Sequence, residues 1–177
     1  PRIPLEVDAR QVSGPVHEVH AMKLTLVSVG SRMPAWVESG VAEYRKRLPR
    51  DFELQVIEIP LSQRSKTTNL PQAIAREGEA CMKAVGGDDY LIALEVKGKA
   101  LSTEQLASRL GTLRDEGRNV SLLVGGPDGL APACLAAADL QWSLSALTFP
   151  HPVVRIIVAE QLYRAWSLLN NHPYHRA

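Results

Sequence analysis

The sequence has no grouped cysteines, no long apolar run and no large excess of one charge. Its two cysteines, Cys81 and Cys134, lie far apart without CxxC or paired-histidine spacing, which argues against a zinc site or a disulfide framework. We predict no metal and expect both cysteines to be reduced and buried, as in a cytoplasmic protein. Charge interrupts every apolar run before ~18 residues, so we predict no membrane-spanning helix.

The formal net charge is only +1 over 177 residues, so the protein is not a general polyanion binder. A nucleic-acid partner would have to meet locally concentrated basic residues or supply docking surfaces of its own. The length suits one domain, and 45% hydrophobic with 22% charged residues is typical of a soluble globular protein.

The segment Pro1–Ala21 differs from the remainder of the chain. It has no clear hydrophobic period and no apolar core of a signal peptide, and it ends directly before Met22. We expect it to be upstream sequence outside the natural fold, with a single domain from Met22 to Ala177.

From Met22 onward, five apolar runs alternate with helical patterns. The predicted strands are Leu24–Val29, Phe52–Ile59, Tyr90–Val96, Asn119–Val124 and Gln141–Leu147. The predicted helices are Pro34–Leu48, Leu70–Val85, Ser102–Glu116, a short helix ending at Ala138, and Pro152–Leu169. This alternation predicts an α/β fold, with a mostly parallel sheet and helices on both faces. Such sheets bind ligands at the carboxyl ends of strands, here after Leu94-Glu95, at Gly125-Gly126 and after Leu147-Thr148.

Two segments at these strand ends have an unusual composition. The glycines of Gly125-Gly126-Pro127-Asp128-Gly129 allow close backbone approach and expose N–H groups, although the spacing is not the dinucleotide fingerprint. A simple tight turn is the alternative. In Trp142–Pro152, two prolines bracket His151, which indicates either a stiff pocket wall or an ordinary strand-to-helix connection.

The last predicted helix is apolar nearly all round, which predicts burial on several sides and a homodimer with this helix at the interface. One polar stripe contains Glu160, Arg164, Ser167 and Asn171. The stripe is either a solvated face on which Glu160 pairs with Arg164, or part of a functional site. The second interpretation is considered because the stripe leads into His172–Arg176. That tail could contact phosphate and stack on an unpaired base, or it could be a solvated terminus.

Several motifs together closely resemble the RlmH family of large-subunit rRNA pseudouridine N3-methyltransferases, in the SPOUT superfamily. They are Leu26–Gly30, Val124–Leu130, Leu144–His151 and Tyr174–Arg176, and the resemblance runs from Met22 to Ala177. It implies a C-terminal deep trefoil knot, S-adenosyl-L-methionine as cofactor, and a homodimer with active sites at the subunit interface. It also implies methylation of N3 of pseudouridine 1915 of 23S rRNA on the assembled ribosome.

The resemblance also assigns residues to the two parts of the site. The cofactor would be held by Leu94, Gly126, Leu144, Ser145, Ala146, Leu147, Thr148 and Phe149. Substrate would be handled by Glu160, Arg164, Tyr174, His175 and Arg176. As a hypothesis, His175 is the general base, Tyr174 stacks on or hydrogen-bonds the nucleobase, and Arg164 or Arg176 stabilises the anion. Alternatively, His175 contacts phosphate and N3 loses its proton to water.

Two functions of other classes remain open at this point. A non-catalytic ribosome-associated binding factor would account for the tail and the weak charge, but not for the glycine motif. A flavodoxin-like nucleotide module would need a phosphate loop after the first strand, where Gly30–Pro34 offers one glycine.

Overall fold

The computed structural model describes residues 20–176. The prediction for Pro1–Ala21 therefore falls almost entirely outside the described residues. The strands are β1 (Met22–Val29), β2 (Phe52–Ile59), β3 (Tyr90–Ala100), β4 (Val120–Val124) and β5 (Leu140–Ser143). The helices are α1 (Ala35–Arg45), α2 (Leu70–Ala84), α3 (Thr103–Asp115), α4 (Pro132–Ala137) and α5 (His151–Leu169), followed by a 3₁₀ C-terminal turn (Pro173–Arg176).

The strands form one sheet in the order β2-β1-β4-β3-β5, and every neighbouring pair is parallel. The strand β1 is apolar on both sides because both of its faces are buried. Leu24 and Leu26 pack into one core cluster, and Val27 and Val29 pack into another. The first cluster includes residues of α1, α3 and α5, and the second includes residues of α2 and α4. The predicted parallel sheet with helices on both faces is confirmed.

Both cysteines are free and buried, as predicted. Cys81 on α2 and Cys134 on α4 belong to the second core cluster. Burial raises the pKa of Cys81 to about 12, so its thiol stays protonated and unreactive at neutral pH.

The predicted strand Gln141–Leu147 is wrong at its carboxyl end, because β5 stops at Ser143. The Ser143 hydroxyl donates to the carbonyl of Ser145 at 3.0 Å, and the N–H of Leu147 donates to the Ser145 hydroxyl at 3.0 Å. These local side-chain bonds compete with sheet pairing and turn the chain out of the sheet. The serines that gave the segment its alternating pattern therefore end the strand.

The helix α5 packs between α1 and α3 and against the C-terminal turn, and none of its 19 residues is exposed. The predicted burial on several sides is confirmed, but one chain supplies the covering surfaces. The apolar character of α5 is thus no longer an argument for a second copy. The interpretation of the polar stripe as a solvated face is also wrong at Ser167. This side chain is fully buried, and its hydroxyl donates to the Arg164 carbonyl at 2.7 Å. No helix within residues 20–176 combines the length and apolarity needed to cross a bilayer.

A buried cation links α5 to the carboxyl ends of β1 and β2. Arg155 is 2% exposed and donates to Glu58 Oε2 at 2.8 Å and to the carbonyl of Gly30 at 2.8 Å. It also reaches the carbonyl of Val29 at 3.3 Å. A cation in the first turns of a helix is unfavourable to the helix dipole, so these acceptors must offset that cost and its desolvation. Arg155 thereby fixes the start of α5 beside the strand ends.

We expect Arg155→Met to lower the free energy of unfolding by about 2–4 kcal/mol, because two buried carbonyls and Glu58 lose a charged donor. Urea unfolding followed by circular dichroism measures the change. Arg50→Met, at an exposed arginine, is the control and should change stability by less than about 0.5 kcal/mol. Equal effects of the two substitutions would contradict the linking role.

Candidate active site

The middle of β3 and the carboxyl ends of β4 and β5 surround a cleft of about 190 Å³. Residues of these three strands and of the loops that follow β4 and β5 line it. They are Leu94, Glu95, Val96, Val124, Gly125, Gly126, Gly129, Leu130, Trp142, Leu144, Ser145, Leu147, Phe149 and Val154. The three places that sequence patterns selected thus meet at one cleft. The predicted strand end at Val96 is wrong, because β3 continues to Ala100 beyond an irregularity between Leu94 and Lys99 in its pairing with β5.

The turn after β4, residues 125–129, has backbone packing that only glycine allows. A Cβ on Gly125 would lie 2.5 Å from the carbonyl carbon of Gly129 and 2.7 Å from the nitrogen of Leu130. The N–H of Gly129 donates to the carbonyl of Gly126 at 3.0 Å, and Gly129 has a φ of +81°. A Cβ on Gly126 would sit 3.1 Å from Val29 Cγ1. The turn therefore presents bare backbone to the cleft.

The loop from Leu144 to Pro150 forms the opposite wall. Of the residues predicted there, Leu144, Ser145, Leu147 and Phe149 line the cleft. Ala146 and Thr148 are exposed and do not line it. Together with Leu94 and Gly126, six of the eight residues predicted for the cofactor therefore surround one cleft.

Sequence reasoning missed two polar groups of the cleft. Glu95 is the acidic side chain among its lining residues, and its Oε1 accepts from the N–H of Lys97 at 3.2 Å. Trp142 is 3% exposed, and its indole Nε1 is buried without a partner among residues 20–176. The strand-end rule pointed to Leu94-Glu95, but only Leu94 was assigned to the site. The side of β5 on which Trp142 lies depends on the register of the sheet.

The residues predicted for substrate handling form a second group on α5 and the C-terminal turn. Glu160 Oε1 accepts from Tyr174 Oη at 3.0 Å and from Arg164 Nε at 2.8 Å. The guanidinium of Arg164 lies 4.9 Å from the centre of the Tyr174 ring. Glu160 Oε2 accepts from Gln161 Nε2 at 2.7 Å. Both oxygens of Glu160 are therefore engaged, and the Glu–Arg pairing weighed from the sequence is present.

Aromatic side chains that the sequence did not single out as site residues hold the C-terminal turn on α5. The ring of Tyr163 lies 4.6 Å from that of Tyr174 and stacks at 5.6 Å on Trp166, which lies 5.4 Å from His172. The interpretation as a solvated terminus is thus wrong for Tyr174 and His175, which are half-buried. Burial, with Tyr44 and Glu160 as neighbours, raises the pKa of Tyr174 well above its usual value. Its phenol remains protonated at neutral pH and can donate.

Within one chain the two groups do not meet. None of Glu160, Arg164, Tyr174, His175 and Arg176 lines the cleft. Glu160 lies nine residues after the start of α5, roughly 13 Å along its axis, and the C-terminal turn packs beyond that point. The Nδ1 atom of His175 is buried without a partner among residues 20–176, whereas Arg176 is exposed.

No cluster of three or more His, Cys, Asp or Glu side chains suited to a metal ion occurs among the residues that the structure describes. The arrangement can instead bind a small molecule through backbone groups at the cleft and contact a polar partner through the C-terminal turn.

Comparison with known proteins identifies the relatives of this chain. Residues 22–175 match the family described as "Predicted SPOUT methyltransferase". A protein from Marinomonas sp. (strain MWYL1), named "Ribosomal RNA large subunit methyltransferase H", is 57% identical over 155 residues, which cover 88% of this chain and 100% of the relative. A protein of the same name from Saccharophagus degradans (strain 2-40 / ATCC 43961 / DSM 17024) is 55% identical with the same coverage.

Among solved structures, one described as a probable methylase family protein from Haemophilus influenzae Rd KW20 has a similar fold. The TM-score is 0.52 with 13% identity, over 88% of this chain and 70% of the other. Identity at this level bears on the fold alone, and the α/β architecture agrees.

We expect Gly125→Ala to lower the free energy of unfolding by about 1–3 kcal/mol, because the new Cβ would overlap the backbone of Gly129 and Leu130. Gly87→Ala is the matched control, since a Cβ there would meet no atom within 4 Å. Chemical denaturation of both variants measures the difference. Equal stability of the two would show that the turn tolerates a side chain.

Proposed function

Because the chain belongs to the SPOUT methyltransferase family, we propose that it transfers a methyl group from S-adenosylmethionine to large-subunit ribosomal RNA. The observation that carries the proposal is the cleft at the strand ends, with its glycine turn and its proline-bounded loop on opposite sides. The names of the relatives that match nearly the whole of residues 22–177 support the rRNA substrate. A cytoplasmic location follows from such a substrate.

The residues of the cleft fit the chemical groups of S-adenosylmethionine. Gly125 and Gly126 carry no side chain, and the packing of Gly125 on Gly129 and Leu130 keeps the turn compact. Bare backbone at the cleft suits close contact with a flat adenine or a ribose. The unpartnered indole N–H of Trp142 and the carboxylate of Glu95 offer a donor and an acceptor. Leu94, Leu144 and Phe149 supply apolar walls. When bound, this cofactor supplies a methyl group made electrophilic by its sulfonium.

We further propose that the methyl acceptor is N3 of a pseudouridine of 23S rRNA and that the assembled ribosome is the substrate. The net charge of +1 agrees with this, because an assembled ribosome can supply docking surfaces that a weakly charged protein does not need to replace with a general basic surface. The residues of the C-terminal turn offer aromatic and hydrogen-bonding groups suited to an exposed nucleobase.

The separation of cleft and C-terminal turn supports a dimeric active site. One chain holds the turn on its own α5, away from its own cleft, so we propose that a second copy brings its turn to that cleft. The two chains would be related by two-fold symmetry, which forms two equivalent sites. The trefoil knot is proposed on the same resemblance, and it is supported by the adjacency of the turn after β4 and the loop before α5 around one cleft.

The proton of N3 must leave as the methyl group arrives, and the side chains near the turn differ in their ability to accept it. Glu160 already accepts from Gln161, Arg164 and Tyr174, so it orients these groups. Tyr174 remains a neutral donor, since its pKa is raised. His175 has an unpartnered ring nitrogen, and it is the base that we propose. Arg164 and Arg176 would stabilise the developing anion.

The two alternatives have less support. A non-catalytic binding factor does not agree with membership in a methyltransferase family. A flavodoxin-like nucleotide module would use the loop after β1, but Gly30 in that loop packs against Arg155 and His151.

We expect His175→Ala to reduce methyl transfer to ribosomes by about 10²–10⁴-fold if the imidazole removes the N3 proton. Binding of S-adenosylmethionine, measured by calorimetry, should change little, because the base role places the imidazole at the N3 proton of the RNA and the cofactor contacts come from the cleft residues. Ribosome binding is measured separately by co-sedimentation. Loss of ribosome binding with normal transfer at saturating ribosomes would remove the base role.

His20→Ala is the control for this substitution, since His20 is exposed and precedes β1. Parallel assays with intact ribosomes, isolated subunits and naked rRNA identify the substrate. Mapping the modified nucleotide by mass spectrometry tests the proposed N3 position.

For the dimeric site, we expect sedimentation at micromolar concentration to give about twice 19.4 kDa. Gly126→Val, whose side chain would meet Val29 and Leu61 and displace the turn that lines the cleft, and His175→Ala should each be inactive alone. After subunit exchange, an equal mixture should recover about one quarter of wild-type activity, because each mixed dimer has one intact site. A monomer, or a mixture that stays inactive although exchange is complete, would contradict the shared site.

A further inference from the structure

The loop between β2 and α2, residues 60–69, borders the cleft without belonging to the residues assigned above. Leu61 Cδ1 lies 3.2 Å from the position that a Cβ of Gly126 would take, so this loop touches the glycine turn from outside. The N–H of Ser62 donates to Glu77 Oε1 at 2.8 Å. The loop is therefore attached both to α2 and to the turn after β4.

The guanidinium of Arg64, in this loop, contacts both α2 and the turn after β4. Arg64 Nη1 donates to Glu77 Oε1 at 2.8 Å and to the carbonyl of Ser62 at 2.9 Å, and Nη2 donates to Glu77 Oε2 at 3.2 Å. Its Nε donates to Asp128 Oδ2 at 3.1 Å. Nη1 and Nη2 of Arg64 thus both bind the Glu77 carboxylate, while Nε binds Asp128. The planar guanidinium allows this geometry, and a lysine ammonium does not.

The two carboxylates have unequal environments. Glu77 is 4% exposed, so it is a fixed and desolvated anchor on α2. The side chain of Asp128 is 33% exposed and lies in the glycine turn. Because Glu77 is buried and bonded to two nitrogens of Arg64, it orients the guanidinium toward the more exposed Asp128.

We infer that Arg64 is a positioning residue that fixes the glycine turn through Asp128 and thereby preorganises the methyl-donor cleft. Within the turn, Gly129 donates to Gly126 and Gly125 packs on Gly129, but neither contact ties the turn to the rest of the domain. Arg64 supplies such a tie from α2, on the opposite face of the sheet from α5. The inference rests on the proposed use of this cleft for S-adenosylmethionine.

The test uses full-length Arg64→Lys, Asp128→Asn and the double variant, because Arg64→Lys keeps the charge near Glu77. Calorimetry measures the dissociation constant for S-adenosylmethionine, and hydrogen exchange measures amide protection over residues 125–129. We expect each single variant to raise the dissociation constant about threefold to tenfold and to speed exchange in the turn. The rate at saturating cofactor should stay near the wild-type value. The double variant should raise the dissociation constant no further than the more impaired single variant, since both substitutions remove the same Arg64–Asp128 contact.

Asp88→Asn is the matched control, since Asp88 is an exposed carboxylate in the turn before β3, at the amino edge of the sheet. In Asp88→Asn, the hydrogen exchange of amides 125–129 and the affinity for S-adenosylmethionine should equal those of the wild type. Unchanged exchange and affinity in Asp128→Asn, or additive losses in the double variant, would overturn the inference. A wild-type protein that shows no binding of S-adenosylmethionine would instead refute the proposed function, and the exchange measurement would still decide whether Arg64 fixes the turn.

Discussion

The candidate site depends on the contact of the Gly125 backbone with the Gly129–Leu130 peptide, which leaves no room for a side chain. This contact folds the turn after β4 flat against the end of the strand, so that backbone faces the cleft. The loop from Leu144 to Pro150 can then approach from β5 and close the other side. A larger residue at Gly125 would overlap the backbone of Gly129 and Leu130, so the turn would have to shift.

The helix α5 connects the two functional regions of the molecule. Its first turns are fixed beside the strand ends by the buried contacts of Arg155 with Glu58 and the β1 carbonyls. Its second half carries Glu160 and Arg164, against which the C-terminal turn packs. A rigid helix therefore sets the distance between cleft and turn, and that distance is why a single chain does not bring them together.

Much of this arrangement could be predicted because it follows from short-range pattern. The alternation of strands and helices and the convergence of Leu94, Gly126 and Leu144 at one cleft are both confirmed. The buried ion pair of Arg155 could not be predicted in this way. Its partner Glu58 is 97 residues away, and no local rule identifies a partner at such a distance.

The sequence by itself determined the class of fold, the strand edge at which the cleft forms and the family to which the chain belongs. Hydrophobic period and glycine positions encode these features locally. Tertiary structure alone decided that α5 is covered within one chain, that Glu160 is occupied by three donors, and that Arg64 joins Glu77 to Asp128. These are contacts between side chains remote in sequence or dependent on rotamers, and they exist only once the sheet order and the packing of helices on it are set.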